Sequence, residues 1–307
     1  MLVNATLSKT DLRQMNVAKT NILNQPVLDG TTLPKVIWMM WWQGFDNAPE
    51  LVKKCLISWQ KHHPTWKICL LDKNNIDQFI DIESVIDLNR RDIPIQMVSN
   101  VLRLNLLKAY SGVWVDATCF CCRPLDDWLG DYASSGFFAF HKPGRDALCS
   151  NWFMASGKDC YLTAKLCDER TLFWKQNHFS FLQNRGPGIF IVNILSRFLN
   201  QSPRSTRHWF SFWVLKVLKL YPYGTFHHHF NKLVFEDPEF GRVWEQTQKY
   251  SSDIPHKLQR IGLLEPLSQD IKQEIDASST PVYKLDWKAA NNQIPEHCIL
   301  NYLIGSL

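Results

Sequence analysis

The sequence predicts an α/β fold, a Rossmann-like mixed and largely parallel sheet flanked by helices, with helical additions towards the C-terminus. Two observations lead to this fold class. First, apolar runs alternate with amphipathic stretches of helical spacing over about 120 residues, as strands alternate with helices in α/β proteins. Second, 45% of the 307 residues are hydrophobic and 13% are aromatic, which is ample for a packed core.

The first three elements lie between residues 35 and 72. The run KVIWMMWW at 35–42 is apolar throughout, which is typical of a strand buried on both faces. Residues 48–63 have the apolar spacing of a helix, and Pro64 ends it because proline lacks an N–H group. A second strand is predicted at 66–72, where WKICLLD ends in an acid.

The next helix and strand form one unit. Residues 95–110 are strongly amphipathic and predict a helix, which Ser111 and Gly112 end in a tight turn. The apolar run at 113–115 then predicts a buried strand. Two further strands are predicted in the aromatic runs at 137–140 and 151–156.

The chain is expected to hold one large domain. Residues 1–33 are polar and have no clear periodicity, so they predict an N-terminal extension. The domain itself is predicted at 34–307, with a helical, aromatic-rich insertion at about 158–260.

Composition excludes some partners and compartments. The net charge of +5 is mild and scattered, and no run of five basic residues and no zinc-finger spacing is present, so nucleic acid is not an expected partner. The first residues lack a secretory signal pattern, which predicts a cytoplasmic protein with reduced thiols. The CFCC run at 119–122 lacks a second cysteine pair at zinc spacing, which favours buried thiols over a structural Cys/His metal site.

Residues 208–226 combine Trp, Phe and Leu with Lys216 and Lys219. A run of this kind is too short to span a bilayer, since spanning takes about 20 apolar residues. Two interpretations stay open. The segment is a helix that lies in a membrane interface, on the inner face of the plasma membrane, or it is a core helix whose lysines reach the solvent.

Two acids follow predicted strands directly. Asp72 ends the second strand, and Asp116 ends the run at 113–115. Ligands of α/β sheets bind beyond the carboxyl ends of the strands, so Asp116 is expected to face a ligand crevice. Asn100 and Arg103 share a helix face, and the turn after that helix brings Arg103 near Asp116. Such a set suits a polyhydroxylated, phosphorylated ligand, although a purely structural Arg103–Asp116 salt bridge is the competing interpretation.

The block SNVLRLNLLKAYSGVWVDAT at 99–118 carries a family resemblance. It resembles the pattern SD-x-LR…YGG-x-Y-x-D-x-D of the capsular polysaccharide synthesis proteins, which are relatives of α-mannosyltransferases and glucosylating toxins. The run LPKVIWMMWWQG at 33–44 is similar to the first strand of that family, IPKIIHQ-x-W. Further similar blocks lie at 58–75, 150–156 and 281–288.

The resemblance implies an A-type glycosyltransferase fold and a retaining transfer from a nucleotide-diphosphate sugar. Asp116 would be a catalytic residue with Arg103 and Asn100, which hold the donor sugar or its phosphates. It would also bind Mn²⁺ or Mg²⁺ together with Thr118. The resemblance also implies contacts to the nucleotide and its diphosphate, by Trp41, Asp72, Lys284, Trp287 and Lys288. Ser99 and Asn151 would contact the substrate.

Two departures from the family pattern bear on the metal. Asn100 stands where the family has an aspartate, and Thr118 stands where it has the second metal-binding aspartate. A neutral ligand lowers metal affinity, so the histidine run at 227–230 is weighed as a substitute, against a plain polar loop. The acceptor implied is a glycan or lipid-linked glycan of a capsular or O-antigen polysaccharide. The alternatives are a toxin-like transferase that modifies a protein, and a non-catalytic nucleotide-sugar binding protein.

Overall fold

The computed structural model describes residues 22, 24–87, 94–179, 188–288 and 294–307. Its centre is a five-stranded sheet. The strands are β1 (Val36–Met40), β2 (Lys67–Leu71), β3 (Gly112–Val115), β5 (Phe137–Gly144) and β6 (Ala147–Ser156). Their order in the sheet is β2-β1-β3-β6-β5. Strand β1 is parallel to β2 and β3, whereas β6 is antiparallel to both β3 and β5. The predicted mixed α/β fold is confirmed, and each predicted strand is present.

Helices flank this sheet. The two predicted helices are α1 (Glu50–His62) and α3 (Ile95–Tyr110). The others are α2 (Ile82–Val85), α4 (Leu129–Tyr132), α5 (Tyr161–Gln176), α6 (Gly188–Leu199), α7 (Thr225–Glu236), α8 (Pro238–Gln246), α9 (Lys257–Ile261), α10 (Gln269–Asp276) and α11 (Ile299–Gly305). Within the described ranges, every helix is too short or too polar to cross a bilayer.

Strand β1 shows why its sequence is apolar at every position. Val36 and Trp38 belong to the core on the side of α3, whereas Ile37 and Met39 belong to the core on the side of α1. All four side chains are fully buried. A strand that buries both faces is apolar at every position instead of alternating between apolar and polar residues. This continuous apolar run is the pattern that predicted β1.

The turn between α3 and β3 depends on Gly112. Ser111 has φ 61° and Gly112 has φ 102°, both in the left-handed region. A Cβ atom on Gly112 would lie 2.7 Å from the carbonyl oxygen of Val36, so only glycine fits against β1. The indole N–H of Trp38 donates to the carbonyl of Ser111 at 2.9 Å. This turn folds α3 back along β3 and brings Arg103 opposite Asp116.

A second, two-stranded sheet joins distant parts of the chain. Strand β4 (Cys119–Cys121) pairs antiparallel with β7 (Val282–Lys284), with Cys119 opposite Lys284. This pairing brings the C-terminal family block at 281–288 beside Asp116. The nine cysteines are free thiols, and Cys119, Cys121 and Cys122 are buried in this region.

The segment 158–260 is largely helical where the structure describes it. The prediction of a single helix at 208–226 is wrong. The structure has a 3₁₀ turn at Ser205–Phe210 and a π-helical turn at Trp213–Val217, and α7 begins only at Thr225. Lys219 has φ 50°, a left-handed conformation that ends the helical path.

The predicted N-terminal extension at 1–33 falls mostly outside the described residues. Its end joins the core, since Leu28 and Leu33 are buried with the α1 side of the sheet.

Candidate functional site

A cavity of about 800 Å³ opens beyond the carboxyl ends of β1 and β3. Most of the predicted site residues line it, namely Trp41, Ser99, Asn100, Arg103, Asp116, Thr118, Asn151, Lys284 and Trp287. Asp72 and Lys288 are not among its lining residues. The structure therefore collects, in one crevice, side chains that lie up to about 250 residues apart in the sequence.

Asp116 lies at the floor of this cavity. Its Oδ1 accepts hydrogen bonds from Arg103 Nη2 and from the indole N–H of Trp114, both at 2.9 Å. Its Oδ2 lies 3.3 Å from Lys284 Nζ. The side chain is 29% exposed, whereas that of Arg103 is 4% exposed. Asp116 is thus paired with two cations and still open to the cavity, so the predicted Arg103–Asp116 salt bridge is present, and the contact of Asp116 with a ligand stays a prediction.

The two cations keep Asp116 ionised. Burial alone would raise the pKa of this carboxyl, but Lys284, Arg103 and the hydrogen bond from Trp114 hold its pKa below the ordinary value. For Lys284, burial opposes the charge and the Asp116 carboxylate outweighs it, so the lysine pKa is raised. A carboxylate with a lowered pKa is a poor general base, and Asp116 is better suited to binding than to proton abstraction.

Arg103 organises the polar side of the cavity. Its Nη1 donates to Asn100 Oδ1 at 2.8 Å, and its Nη2 lies 3.3 Å from Ser99 Oγ. The amide of Asn151 donates to the same Asn100 oxygen at 2.9 Å. The guanidinium also lies over the Trp114 ring, 5.0 Å from the centroid. Asn100, the neutral residue where the family has an aspartate, serves here as a shared acceptor that fixes two donors.

Lys284 occupies the place between the two predicted metal ligands. Its Nζ lies 2.6 Å from Thr118 Oγ1 and 3.3 Å from Asp116 Oδ2. Among the described residues, no three His, Cys, Asp or Glu side chains come together as a metal site. One carboxylate and one hydroxyl, bridged by an ammonium group, do not fit a divalent ion held by the protein. The side chains present therefore do not support the predicted Mn²⁺ or Mg²⁺ site of Asp116 and Thr118, and that site stays a prediction.

Two tryptophans form one wall of the cavity. Trp41 follows β1, and its ring meets that of Trp287 edge to face, with 6.1 Å between centroids. Both side chains are partly buried. Flat aromatic faces next to cations suit a nucleobase and its attached phosphates.

Asp72 and Lys288 have other positions. Asp72 Oδ1 accepts from the backbone N–H groups of Asn74 at 2.7 Å and Asn75 at 3.2 Å, so it stabilises the turn after β2. Lys288 is exposed, and its backbone N–H donates to Asp286 Oδ1 at 3.0 Å. Their predicted contacts to the nucleotide stay predictions.

The histidine run lies on α7, and its side chains point in different directions. His228 stacks parallel to Trp209, with its Nε2 3.4 Å from Asp146 Oδ2. His229 stacks on Phe210 with 4.0 Å between centroids. Only His227 of the three lines the cavity. The histidines are therefore dispersed, as the side-chain directions on a helix require.

His227 is a cavity residue for which sequence analysis assigned no role of its own. Its Nδ1 lies 2.8 Å from the carbonyl oxygen of Cys149, so this nitrogen carries the proton. Burial, partly offset by that hydrogen bond, lowers the pKa of His227 to about 4. The ring is neutral at physiological pH, and its Nε2 is a hydrogen-bond acceptor. Tyr223 and Phe226 line the cavity beside it. The sequence spacing does not predict that His227 on α7 lines the same cavity as Asp116 after β3, because only the tertiary fold brings these elements together.

A comparison with protein families identifies the chain. The family model described as capsular polysaccharide synthesis protein matches residues 5–303, nearly the whole sequence. The chain belongs to this family. This match confirms the family that the block at 99–118 predicted.

The curated relatives that match this chain are named as glycosyltransferases. O-glycosyltransferase braB of Annulohypoxylon truncatum is 27% identical over 143 residues, which cover 40% of this chain and 34% of that protein. Glycosyltransferase afumC of Aspergillus fumigatus is 34% identical over 113 residues, which cover 33% and 28%. The chain spans only 28% to 35% of the length of the curated relatives it matches.

Among solved structures, the PaToxG glycosyltransferase aligns with 78% of this chain and 96% of its own length. The sequence identity is 16% and the TM-score is 0.37.

Proposed function

We propose that the protein is a glycosyltransferase that moves a sugar from a nucleotide-diphosphate donor to a hydroxyl group of a glycan acceptor. The observation that carries this proposal is the floor of the cavity, where Asp116 is held between Arg103 and Lys284 and still faces the open space. Family membership supports it, and so do the curated relatives, which are named as glycosyltransferases.

The donor would lie along the tryptophan wall. Trp41 and Trp287 would contact the base, and the diphosphate would reach Arg103 and Lys284 at the cavity floor. As the bond to the sugar breaks, the leaving diphosphate gains negative charge, and fixed cations in a sheltered cavity stabilise that charge. Asp116 would accept hydrogen bonds from ribose or sugar hydroxyls while keeping both cations in place.

We also propose that Lys284 supplies the positive charge that a divalent ion supplies elsewhere. Its ammonium group already lies between the carboxylate of Asp116 and the hydroxyl of Thr118. A second motif carboxylate at position 118 would compete with the phosphates for this lysine, whereas the neutral threonine leaves it available to them.

Retention of configuration follows the family resemblance of the 99–118 block. It requires no strong carboxylate base on the acceptor side, and Asp116, whose pKa is lowered, does not supply one. The neutral Nε2 of His227 would accept a hydrogen bond from the incoming hydroxyl group. The acceptor proposed is a glycan of a surface polysaccharide, carried free or on a lipid.

A non-catalytic nucleotide-sugar binding protein is the second candidate. It is favoured by the full pairing of Asp116 with two cations, which also suits a static binding site. The two candidates differ in turnover, since only the transferase releases nucleoside diphosphate.

The test incubates the full chain with a panel of nucleotide sugars and follows release of free nucleoside diphosphate. We expect turnover with one donor. Asp116→Asn should lower it by about 100-fold or more, because the neutral amide offers the donor no carboxylate and the two cations lose their anionic partner. Product NMR would report whether the anomeric configuration is retained.

Asp126→Asn is the matched control. Asp126 also binds a lysine and an indole N–H, namely Lys35 at 2.6 Å and Trp66 at 2.7 Å, but it lies outside the cavity lining. This variant should keep its turnover. Equal turnover of Asp116→Asn and wild type, with thermal unfolding unchanged, would contradict the proposed site. Tight donor binding without any release would support the non-catalytic candidate.

A further inference from the structure

Acidic residues are absent from a long part of this chain. Residues 170–235 contain nine Lys and Arg and no Asp or Glu. The rest of the chain has 25 basic and 29 acidic residues, a net charge of −4, so this part alone makes the protein basic. Arg170 is buried and adds no charge to the surface. The asymmetry among the remaining residues still indicates an anionic partner for that part of the chain.

The same part of the chain exposes large apolar side chains. Among the described residues, eighteen large hydrophobic side chains are exposed, and nine of them lie between 188 and 218. Those nine are Ile189, Phe190, Ile191, Ile194 and Phe198 on α6, and Phe212, Trp213, Val217 and Leu218 on and beside the π-helical turn. Phe190, Phe198, Phe212 and Trp213 are each at least 65% exposed. Aromatic side chains are seldom left this open without a partner.

One small core holds the two exposed elements together. Val192 of α6 packs with Trp209, Val214 and Leu220 in a separate buried cluster. The indole N–H of Trp209 also donates to Asn200 Oδ1 at 2.7 Å, just after α6 ends. Because their inner side chains share this core, α6 and the turn at Trp213–Val217 present their apolar residues from one anchored unit. We call this unit the apolar-basic face.

Cations accompany the apolar residues of this face. Arg197 lies on α6, and Lys216 and Lys219 lie on and after the π-helical turn, all with exposed side chains. Arg204 and Arg207 lie in the connection between the two elements. Large apolar side chains with interspersed Lys and Arg, and no acid among them, are the composition of helices that lie in the interface of an anionic membrane.

We propose that the apolar-basic face docks on an anionic lipid bilayer, with its aromatic side chains among the acyl chains and its cations at the headgroups. This rests on the proposed function in one respect, the choice of a membrane-borne acceptor. Tyr223, four residues beyond Lys219, lines the cavity and is 62% exposed. The face therefore leads along the chain to the cavity, and docking would place the cavity near a lipid-linked glycan.

The choice of a membrane over a second copy of the chain follows from charge. Two copies joined through this face would bring two acid-free basic surfaces together, which is unfavourable. Anionic headgroups instead neutralise each Lys and Arg near the surface.

The experiment measures co-sedimentation of the full chain with vesicles of phosphatidylcholine containing about 30 mol% phosphatidylglycerol, and with vesicles of phosphatidylcholine alone. We expect binding to the anionic vesicles that falls at about 0.5 M KCl and is weak for the neutral ones. Trp213→Glu and Phe190→Glu should each lower the partition coefficient by at least about ten-fold, since each puts a carboxylate into the interface. Lys219→Gln should lower it about five-fold.

Ile57→Glu is the matched control, because Ile57 is 44% exposed on α1, outside the apolar-basic face. It should bind vesicles like the wild type. Equal losses for Ile57→Glu and Trp213→Glu, or no binding of the wild type to anionic vesicles, would overturn the proposal. So would sedimentation that shows a stable dimer which Trp213→Glu dissociates while vesicle binding is absent.

Turnover separates this proposal from the proposed function. With a water-soluble donor and no vesicles, Trp213→Glu should release nucleoside diphosphate at the wild-type rate. Asp116→Asn should keep full vesicle binding. If the wild type binds vesicles but shows no turnover, the docking proposal is supported and the proposed transferase activity is contradicted. If it shows turnover but does not bind vesicles, the transferase activity is supported and the docking proposal is contradicted.

Discussion

Lys284 is the residue on which metal dependence turns. Its ammonium group bridges Thr118 and Asp116, the two positions that would otherwise bind a divalent ion. If lysine provides the charge, EDTA should change turnover by less than about 2-fold, whereas Lys284→Met should lower kcat by about 10²–10³. The measurement is nucleoside diphosphate release from protein freed of metal, with and without added Mn²⁺.

Lys67→Met is the control for that substitution, because Lys67 is exposed at the start of β2, away from the cavity. Its turnover should equal that of the wild type. Loss of turnover in EDTA and recovery with Mn²⁺ would mean that a metal displaces Lys284, and the predicted metal site at Asp116 and Thr118 would then be correct.

At the scale of single residues, the sequence predicts those site side chains whose spacing along the chain is local. Arg103 and Asp116 are thirteen residues apart and joined by one turn, so their contact follows from the helix and the strand. Lys284 came from a family block. His227 was missed, because its place in the cavity depends on how α7 packs against β6, and a run of three histidines does not indicate which one faces inward.

Gly112 shows how one element sets the site. It joins α3, which holds Arg103, to β3, which leads into Asp116. Gly112→Ala would place a Cβ atom 2.7 Å from the carbonyl of Val36 at φ 102°. We expect a loss of about 1–3 kcal/mol in the free energy of unfolding, from strain and from displacement of β3. Urea unfolding followed by tryptophan fluorescence measures it.

Gly305→Ala provides the comparison, since a Cβ atom at Gly305 meets nothing within 4 Å. Gly305 ends α11, where alanine is tolerated or slightly stabilising. If both variants unfold at the same urea concentration as the wild type, the close packing of Gly112 on β1 is not as described.

At the scale of elements, long periodic segments were predictable and broken ones were not. The helix at 95–110 has the predicted bounds, because its spacing is regular and a Ser-Gly turn ends it. The segment 208–226 has enough apolar residues for a helix, yet the buried cluster around Trp209 and Val214 holds it as short turns. Tertiary packing overrides local preference there, which composition alone does not reveal.

The whole molecule buries histidines that must stay neutral. His63 is 2% exposed. Its Nε2 accepts from the backbone N–H of Leu125 at 2.9 Å, and its Nδ1 lies 3.0 Å from the carbonyl of Trp59. Protonation of Nε2 would set an N–H group against another N–H group. Burial, partly offset by the Trp59 hydrogen bond, lowers the pKa of His63 from 6.5 to about 4. Burial likewise lowers the pKa of His229 well below its ordinary value.

This burial makes the stability of the fold depend on pH. Between about pH 6.5 and pH 4 the unfolded chain binds a proton at His63 that the folded chain excludes, so stability is full above this window and falls as the pH falls through it. At about pH 5, His63 alone lowers the free energy of unfolding by about 2 kcal/mol.

Urea unfolding at about pH 7 and about pH 5 tests this. Between the two pH values, the free energy of unfolding of His63→Gln should decrease by about 2 kcal/mol less than that of the wild type. His208→Gln, which alters an exposed histidine, is the control, and its free energy of unfolding should decrease as much as that of the wild type. Equal decreases in His63→Gln and the wild type would mean that His63 titrates normally in the folded protein, and that its two backbone contacts do not hold it neutral.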